Sequence, residues 1–454
     1  MASLMPGGGG VRESLGRILA GSGPMARLAR GVLGSGGVWI LRLGSTLGLA
    51  FLLGHLLGPS EYGVYATVVA HVTLFAPMCC LGYDMLATRE FVVARTNGDV
   101  EQEVALAHAL PRGVWITSAV MLVLFVPASV AWGYFRGKGF EQTILFEALG
   151  IALTAHLRLI QGQLRGLGRV SLGQVYQLIL PPVLNLVLFV ALLAVFPPSA
   201  MLAIVTFIAA LVIVWPMGLL AVRRNVAQGS ARASGRTRRT WAHAAIVLGI
   251  GQLIFVANEQ VPLVVTAALS STREVGLLDI ARRFALFSSI ALNVIQLPLG
   301  PILAEMYRKQ DMAGFRRAAL HTTYVAFGLS VVVSLAYLVA GRWLLGVVVP
   351  GFEPAYPAML IMCLGYLINT MTGPVPMVLT MTGHERDIVK GVVVGLVINL
   401  ATCLVLVPRI GHVGAAIGAV LGQFAWNSVL AVIVRRRYGV SLDILALFER
   451  RQKI

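Results

Sequence analysis

Charged side chains are scarce in this chain of 454 residues. Asp, Glu, Lys and Arg make up 12% of the sequence, and hydrophobic residues make up 57%. Soluble globular domains carry about 25% charged residues, so this composition excludes a soluble protein and a disordered one. The apolar residues stand in long unbroken runs, whereas an outer-membrane barrel needs alternating polarity. The remaining class is an all-α protein that crosses a membrane many times.

Cysteine is also rare, and common catalytic motifs are missing. The four cysteines, Cys79, Cys80, Cys363 and Cys403, lie in apolar stretches without CxxC spacing or paired histidines. This pattern excludes a disulfide framework and a zinc site. The sequence contains no phosphate-binding GxxxxGKS/T motif, no GxSxG and no HExxH. We therefore predict that the chain is not an enzyme and has no cofactor or metal.

Uncharged stretches mark the membrane-spanning helices. Residues 113–135, 318–341 and 410–434 contain no Asp, Glu, Lys or Arg, and each exceeds the roughly 20 residues that a spanning helix needs. Residues 170–222 are uncharged over a length that fits two spans, with Phe-Pro-Pro-Ser where a turn is needed. The pattern predicts twelve helices, at 31–56, 61–86, 111–135, 143–163, 172–195, 200–222, 242–268, 275–303, 318–348, 355–381, 388–408 and 412–434.

The basic residues are distributed unequally between the predicted loops. The net charge is +17, with 36 Lys and Arg against 19 Asp and Glu. Basic residues are not interleaved with aromatic ones, so we predict contact with membrane lipids and no nucleic-acid partner. If both termini are cytoplasmic, the opposite side holds few basic residues, as the positive-inside rule requires. Those residues are Arg136, Lys138, Arg273, Arg342 and Arg409.

A basic segment divides the spans into two equal sets. We predict a basic cytoplasmic tail at 1–30, an N-lobe of helices 1–6 at 31–222 and a cytoplasmic linker at 223–241. A C-lobe of helices 7–12 follows at 242–434, and a cytoplasmic tail ends the chain at 435–454. For the first thirty residues, a transit peptide is the alternative to a plain tail.

The two predicted lobes share landmarks at a nearly constant offset. Six spans are an even number, so two copies of a lobe keep the same orientation in the membrane. The pattern therefore indicates a parallel duplication and alternating access at the lobe interface; chance matches between apolar sequences are the alternative. The pairs are Glu61 and Glu274, Gly168 and Gly383, and Asn185 and Asn399, separated by 213, 215 and 214 residues.

Arginines within the predicted spans are the first candidate site residues: Arg42, Arg158, Arg282 and Arg283. A charge at the centre of a span costs about 2.5–3.5 kcal/mol, so we expect these side chains to face a polar cavity between the lobes. Guanidinium groups bind phosphate in a bidentate manner, which suits a pyrophosphate or an acidic sugar. The alternatives are ion pairs of Asp279 with Arg282 or Arg283 and snorkelling of Arg158.

Acidic residues within the spans are candidates for coupling to an ion gradient. Asp84, Glu259 and Asp279 lie in apolar surroundings. A buried carboxylate can take up a proton, or a sodium ion, as the lobes move. A salt bridge to one of the arginines is the alternative for each of them.

Several segments resemble one known family. Residues 56–66 are LLGPSEYGVYA, residues 81–84 are LGYD, and Arg89-Glu90 follow. In the second half, residues 275–283 are VGLLDIARR. These segments resemble bacterial polysaccharide-repeat flippases of the Wzx type, which belong to the multidrug/oligosaccharidyl-lipid/polysaccharide (MOP) exporter superfamily. The similarity extends over nearly the whole chain.

The resemblance implies a MATE-like, V-shaped bundle of two lobes in the bacterial inner membrane. It implies transport of undecaprenyl-pyrophosphate-linked oligosaccharide units to the periplasmic leaflet by alternating access, for O-antigen, capsule or exopolysaccharide assembly. A polysaccharide polymerase and chain-length machinery are the implied protein partners. The cationic cavity maps onto Arg42, Arg282, Arg283 and Arg158, and H⁺ or Na⁺ coupling maps onto Asp84, Glu259 or Asp279.

Three other functions are alternatives. A multidrug/cation antiporter of the same superfamily needs an acidic, aromatic cavity, and the arginines argue against it. A membrane-embedded glycan polymerase or ligase needs a large outward loop, and the predicted outward loops are short. A lipid II flippase shares the chemistry but usually has additional C-terminal helices.

Overall fold

The computed structural model describes residues 24–135, 143–229, 231 and 234–438. Residues 1–23 of the predicted N-terminal tail and 439–454 of the C-terminal tail lie outside the described residues. Every regular element in the described ranges is helical. The α-helices are α1 Pro24–Cys80, α2 Tyr83–Thr96, α3 Val100–Phe135, α4 Thr143–Gly166, α5 Val170–Gln174, α6 Leu180–Leu192, α7 Ala200–Asn225, α8 Gly235–Leu269, α9 Thr272–Ala285, α10 Ile290–Arg308, α11 Met312–Val348, α12 Tyr356–Thr372, α13 Val375–Met381 and α14 Glu385–Tyr438.

Nine helical stretches among the described residues are long and apolar enough to cross a membrane. Two of the nine are interrupted where the sequence predicts a turn. The backbone of α1 leaves the helical conformation at Gly58, and that of α14 does so at Ile410 and Gly411. Each of these two stretches therefore contains two predicted spans. The prediction of an all-α, multi-pass membrane bundle is confirmed.

Some predicted helices end earlier or are broken. The predicted helix at 61–86 ends six residues early, at Cys80, because Leu81 and Gly82 take left-handed conformations with φ of 48° and 79°. The predicted eighth helix is interrupted by the 3-10 segment Leu286–Ser289 between α9 and α10. The predicted tenth helix divides between α12 and α13. Apolar sequence continues through each break, so hydropathy alone does not reveal it.

The two parts of α14 form an antiparallel hairpin that closes on small residues. A Cβ added at Gly414 would lie 2.7 Å from the carbonyl carbon of Leu406, and one at Gly418 would lie 2.5 Å from the sulfur of Cys403. A Cβ at Gly422 would lie 2.7 Å from the carbonyl oxygen of a third glycine, Gly395. Small residues at such spacing let two helices approach closely inside a membrane.

Turns and helix caps recur in the two halves of the chain. Gly98 and Gln310 both have positive φ angles, 68° and 59°. The following residues, Asp99 and Asp311, each accept a hydrogen bond from a backbone amide three residues later, at 2.8 Å in both cases. Both carboxylates lie beside the first turn of a long helix, α3 in the first half and α11 in the second. This correspondence at an offset of 212 residues supports an internal duplication.

Helices of the two halves meet at both ends of the bundle. At the end that carries Gly58, called the Gly58 end below, a Cβ on Gly63 would lie 1.7 Å from the carbonyl oxygen of Thr272. At the opposite end, called the Gly82 end, a Cβ on Gly82 would lie 2.2 Å from the carbonyl oxygen of Ala245. The second part of α1 is about 26 Å long from Gly63 to its last residue, Cys80, and the chain therefore borders the second half at both ends of this helix.

Candidate functional site

A buried carboxylate joins the two halves near the Gly58 end. Asp279 on α9 is 2% exposed and accepts hydrogen bonds from three side chains. The hydroxyl of Tyr62 on α1 donates to it at 2.6 Å. The guanidinium groups of Arg283 and Arg282 donate to it at 2.6 and 3.0 Å. Three donors, two of them cationic, occupy the carboxylate, so Asp279 serves as an anchor between helices in this arrangement.

Two tyrosines extend this network, and they were not among the predicted site residues. Tyr62 and Tyr65 lie one helical turn apart with ring centroids separated by 6.1 Å. The hydroxyl of Tyr65 accepts a hydrogen bond from the amide of buried Asn185 at 3.2 Å. The signal in the sequence is a pair of tyrosines at i, i+3 spacing in an apolar helix. Their partners lie 217 and 120 residues away, which spacing along the chain does not reveal.

The second group of charges is more open. Arg42 on α1 and Glu259 on α8 are both exposed, and the side chain of Arg282 on α9 is 26% exposed. The charge of Glu259 interacts electrostatically with those of Arg282 and Arg42. We call these three residues the Arg42 cluster. The fold thus brings together two of the predicted cationic residues and one predicted coupling residue, from helices of both halves.

The balance of charge around α9 is positive. Arg42, Arg282 and Arg283 carry three positive charges, whereas Glu259 and Asp279 carry two negative ones. One guanidinium charge is therefore left uncompensated within this group. Accessible guanidinium groups with excess positive charge favour an anionic ligand, and a phosphate in particular.

The remaining two predicted residues form a separate pair. Arg158 on α4 donates to Asp84 in the first turn of α2 at 3.2 Å, and each side chain is 17% exposed. The two helices pack closely there, since a Cβ on Gly162 would lie 2.2 Å from the carbonyl oxygen of Asp84. Among the described residues, no hydrogen bond or ion pair links this pair to the Arg42 cluster. The salt bridge given as the alternative for Asp84 thus describes its contact with Arg158.

A second acidic residue of the first half is also paired. His71 on α1 lies 3.1 Å from the carboxylate of Glu147 on α4, which is 5% exposed. The sequence shows both residues inside predicted spans but gives no sign that they meet. Among the residues that the structure describes, no group of three or more His, Cys, Asp or Glu side chains is arranged to hold a metal ion.

Comparisons with known proteins agree at the level of fold. No family model matches the chain, and no curated protein matches its sequence. Among solved structures, the chain is similar to a multidrug resistance MATE family transporter of the MOP superfamily. Its inward-facing conformation has a TM-score of 0.68 at 14% identity, covering 94% of this chain and 98% of that one. The outward-facing conformation of a multidrug resistance MATE family transporter has a TM-score of 0.61 at 15% identity, covering 93% of this chain and 97% of that one.

A lipid flippase is also similar in structure. The lipid II flippase MurJ, in an inward closed conformation, has a TM-score of 0.67 at 10% identity, covering 88% of this chain and 87% of that one. The organisation of the helices is thus shared with MATE transporters and with MurJ over nearly all of the chain. The chain has the multi-pass membrane fold of the MOP type.

Proposed function

We propose that the chain is a flippase for undecaprenyl-pyrophosphate-linked oligosaccharide units. It moves them by alternating access from the cytoplasmic to the periplasmic leaflet of the bacterial inner membrane, with both termini in the cytoplasm, for surface polysaccharide assembly. The observation that carries the proposal is the Arg42 cluster, in which helices of both halves bring two accessible guanidinium groups beside one carboxylate. Two accessible guanidinium groups suit the two phosphates of the lipid carrier.

The same cluster offers a way to couple transport to a proton. In this mechanism the pyrophosphate displaces Glu259 from Arg42 and Arg282. The carboxylate then loses the positive charges that favour its ionised form and takes up a proton. Release of the substrate at the other side restores the electrostatic interaction of Glu259 with the two arginines and frees the proton there, so the proton moves in the same direction as the substrate. Sodium in place of the proton is the other outcome of a coupling measurement.

The hydrogen bonds that Asp279 accepts from Tyr62, Arg282 and Arg283, called the Asp279 network here, include the contact that holds the two halves together during one part of the transport cycle. The hydrogen bond between Tyr62 and Asp279 joins α1 of the first half to α9 of the second at the Gly58 end. Separation of the halves at that end must break it. Helix interruptions at Gly58 in α1 and at Leu286–Ser289 after α9 lie within four residues of Tyr62 and Arg283, and the π-helical segment Val175–Ile179 precedes α6. All three offer places for helices to bend.

The proposal is tested in a strain that lacks the gene. The wild-type gene and the variant Arg42→Gln/Arg282→Gln are added back at equal protein level, and Arg342→Gln, at an exposed arginine of α11, is the matched control. We expect the double variant to accumulate single lipid-linked units on the cytoplasmic face and to lose surface polysaccharide, whereas Arg342→Gln restores it. Unpolymerised units in the periplasm would instead identify a polymerase or ligase.

One observation favours a second candidate, a cation antiporter. Glu259 is an exposed carboxylate in the region where helices of both halves meet, and such a group suits a cationic ligand. The two functions differ in the effect of Glu259→Gln on cells. An antiporter would show raised sensitivity to cationic drugs with unchanged glycans, whereas the flippase predicts altered lipid-linked intermediates with unchanged drug sensitivity.

A further inference from the structure

A cavity of about 580 Å³ opens between α3, α4 and α7, all in the first half. It is separate from the Arg42 cluster, which α1, α8 and α9 form, and the proposed function uses none of its lining side chains. The lining combines polar, aromatic and basic groups. Those that matter here are Arg112, Trp115, His156, Gln163, Trp215 and Arg223.

Several polar groups in the lining are buried without a partner. Gln163 is 1% exposed, and neither its amide oxygen nor its amide nitrogen has a hydrogen-bond partner. The indole N–H of Trp215 is likewise buried and unpaired. Buried polar groups in proteins are nearly always hydrogen-bonded, so unpaired ones in a cavity wall indicate a missing partner. That partner must offer acceptors for the indole and the amide.

The mouth of the cavity is positively charged. Arg112 on α3 and Arg223 in the last turn of α7 are exposed lining residues. The neighbouring carboxylate of Glu103 does not compensate them, because Arg95 donates to it at 3.1 and 3.3 Å. The backbone amide of Ala227 also donates to Glu103, at 3.0 Å. Two arginines beside an occupied carboxylate favour an anion, and their forked shape favours a phosphate.

The rest of the surroundings is apolar and aromatic. Trp115 contacts buried His156 in a tilted arrangement with ring centroids 4.1 Å apart, and it meets Trp215 edge-on at 6.1 Å. On the outer surface of the same helices, Ile116 is 65% exposed and Leu220 is 50% exposed. Tryptophan is enriched at the level of lipid headgroups. An apolar outer surface beside a phosphate-binding mouth fits an amphiphile.

We propose that this cavity binds the phosphate headgroup of an anionic phospholipid from the surrounding bilayer. The phosphate lies between Arg112 and Arg223. Oxygens of the glycerol esters accept hydrogen bonds from the indole of Trp215 and the amide of Gln163, and the acyl chains lie along the exposed faces of α3 and α7. Trp215 and Arg223 lie eight residues apart on α7, about 12 Å along the helix axis. The bound lipid braces α3 against α7.

The test measures lipid-dependent thermal unfolding of the full-length protein in an uncharged detergent. Phosphatidylglycerol and phosphatidylcholine with identical acyl chains are added separately in mixed micelles. We expect phosphatidylglycerol to stabilise the protein at concentrations about tenfold lower than phosphatidylcholine. Arg112→Gln/Arg223→Gln should weaken the phosphatidylglycerol effect about thirtyfold, because each basic contact with an anionic lipid contributes roughly fivefold to binding.

Two further variants separate this site from general electrostatic attraction. Arg224→Gln removes the exposed arginine next to Arg223 that does not line the cavity, and it should leave lipid dependence unchanged. Gln163→Leu should weaken phosphatidylglycerol binding about fivefold through the loss of one hydrogen bond. The proposal is overturned if both lipids act equally or if Arg224→Gln matches the double variant. Stabilisation by inorganic phosphate alone would show a site for a free anion and would also overturn the lipid assignment.

Discussion

Glu61 and Glu274 occupy equivalent places in the two halves of the chain and make equivalent contacts. The carboxylate of Glu61 accepts a hydrogen bond at 2.9 Å from the amide of Ala200, the first residue of α7. That of Glu274 accepts one at 2.8 Å from the amide of His412, just beyond the turn of α14. Each carboxylate thus caps the last span of its own half. The capping contacts and turns of one half are repeated in the other.

The charged side chains around α9 are not repeated. At the offset of 213 residues that relates Glu61 to Glu274, the equivalents of the three charged residues of α9 are apolar residues of α1. Residues that repeat between the two halves therefore form the turns and helix caps of the fold. The charged residues of α9, which do not repeat, form part of the candidate site. The equivalents of Asp279, Arg282 and Arg283 are Ala66, Val69 and Ala70.

The largest loss of stability is expected from a substitution of Asp279, a charged residue of the second half that has no charged equivalent in the first. Asp279→Ala leaves Arg283, whose side chain is 12% exposed, without its partner, and it also removes the acceptor of Tyr62. Loss of one partner from a buried ion pair costs about 3–5 kcal/mol of the free energy of unfolding. Asp84→Ala breaks a more accessible pair in the first half and should cost about 1 kcal/mol. Chemical denaturation measures the free energy of unfolding of both variants. Equal losses for Asp279→Ala and Asp84→Ala would contradict the proposed difference between the two halves.

A smaller loss of stability is expected from a substitution of Gly63 at the Gly58 end, where the two halves are in contact. Gly63→Ala places a methyl group against the backbone of Thr272, so the halves must move apart at the Gly58 end. Overpacking of this kind costs about 1–3 kcal/mol. Gly44→Ala on the same helix is the control, because nothing lies within 4 Å of its added Cβ. Thermal unfolding of both variants measures the difference, and an equal response would show that the contact is not tight.

The repeated caps should have matching effects. Glu61→Ala and Glu274→Ala each remove one acceptor from a helix start, which costs about 0.5–2 kcal/mol. Glu274→Ala should lie at the upper end, because the ring of His412 also bonds to that carboxylate, at 2.6 Å. Unfolding in denaturant measures both. If only one substitution destabilises the protein, the two caps are not equivalent and the duplication loses this support.

The smallest change in stability is expected for Arg42→Gln. Its side chain is exposed and has no hydrogen bond or ion pair shorter than 4 Å to the other described residues, so the free energy of unfolding should change by less than about 0.5 kcal/mol. Transport should nevertheless fall, since the variant removes one of two accessible guanidinium groups. A large loss of stability would instead assign Arg42 to the scaffold.

The sequence supports correct prediction of the helical bundle and part of its polar interior. Uncharged runs located the spans because the bilayer excludes charge along their whole length. The i, i+3 and i, i+4 spacing of Asp279 with Arg282 and Arg283 indicated the ion pairs as one of two alternatives. Gly168 and Gly383, which the sequence pairs as landmarks, both adopt left-handed turns, with φ of 76° and 78°.

The features that could not be predicted from the sequence depend on contacts between segments that are distant along the chain. Tyr62 meets Asp279 across 217 residues, and no local spacing encodes that meeting. The break at Leu81 and Gly82 lies inside apolar sequence, so it separates Asp84 from the preceding helix without any signal in hydropathy. Pairing of Asp84 with Arg158 follows from that break, because it starts a new helix against α4.

The central claim is that the Arg42 cluster binds the phosphates of a lipid carrier. Its most direct test is the affinity of the purified protein for undecaprenyl pyrophosphate and for undecaprenol, which lacks phosphate. We expect tighter binding of the pyrophosphate, about 100-fold weaker binding by Arg42→Gln/Arg282→Gln, and wild-type binding by Arg342→Gln. Equal affinity of the wild type for both lipids, or unchanged affinity of the double variant, would contradict the account.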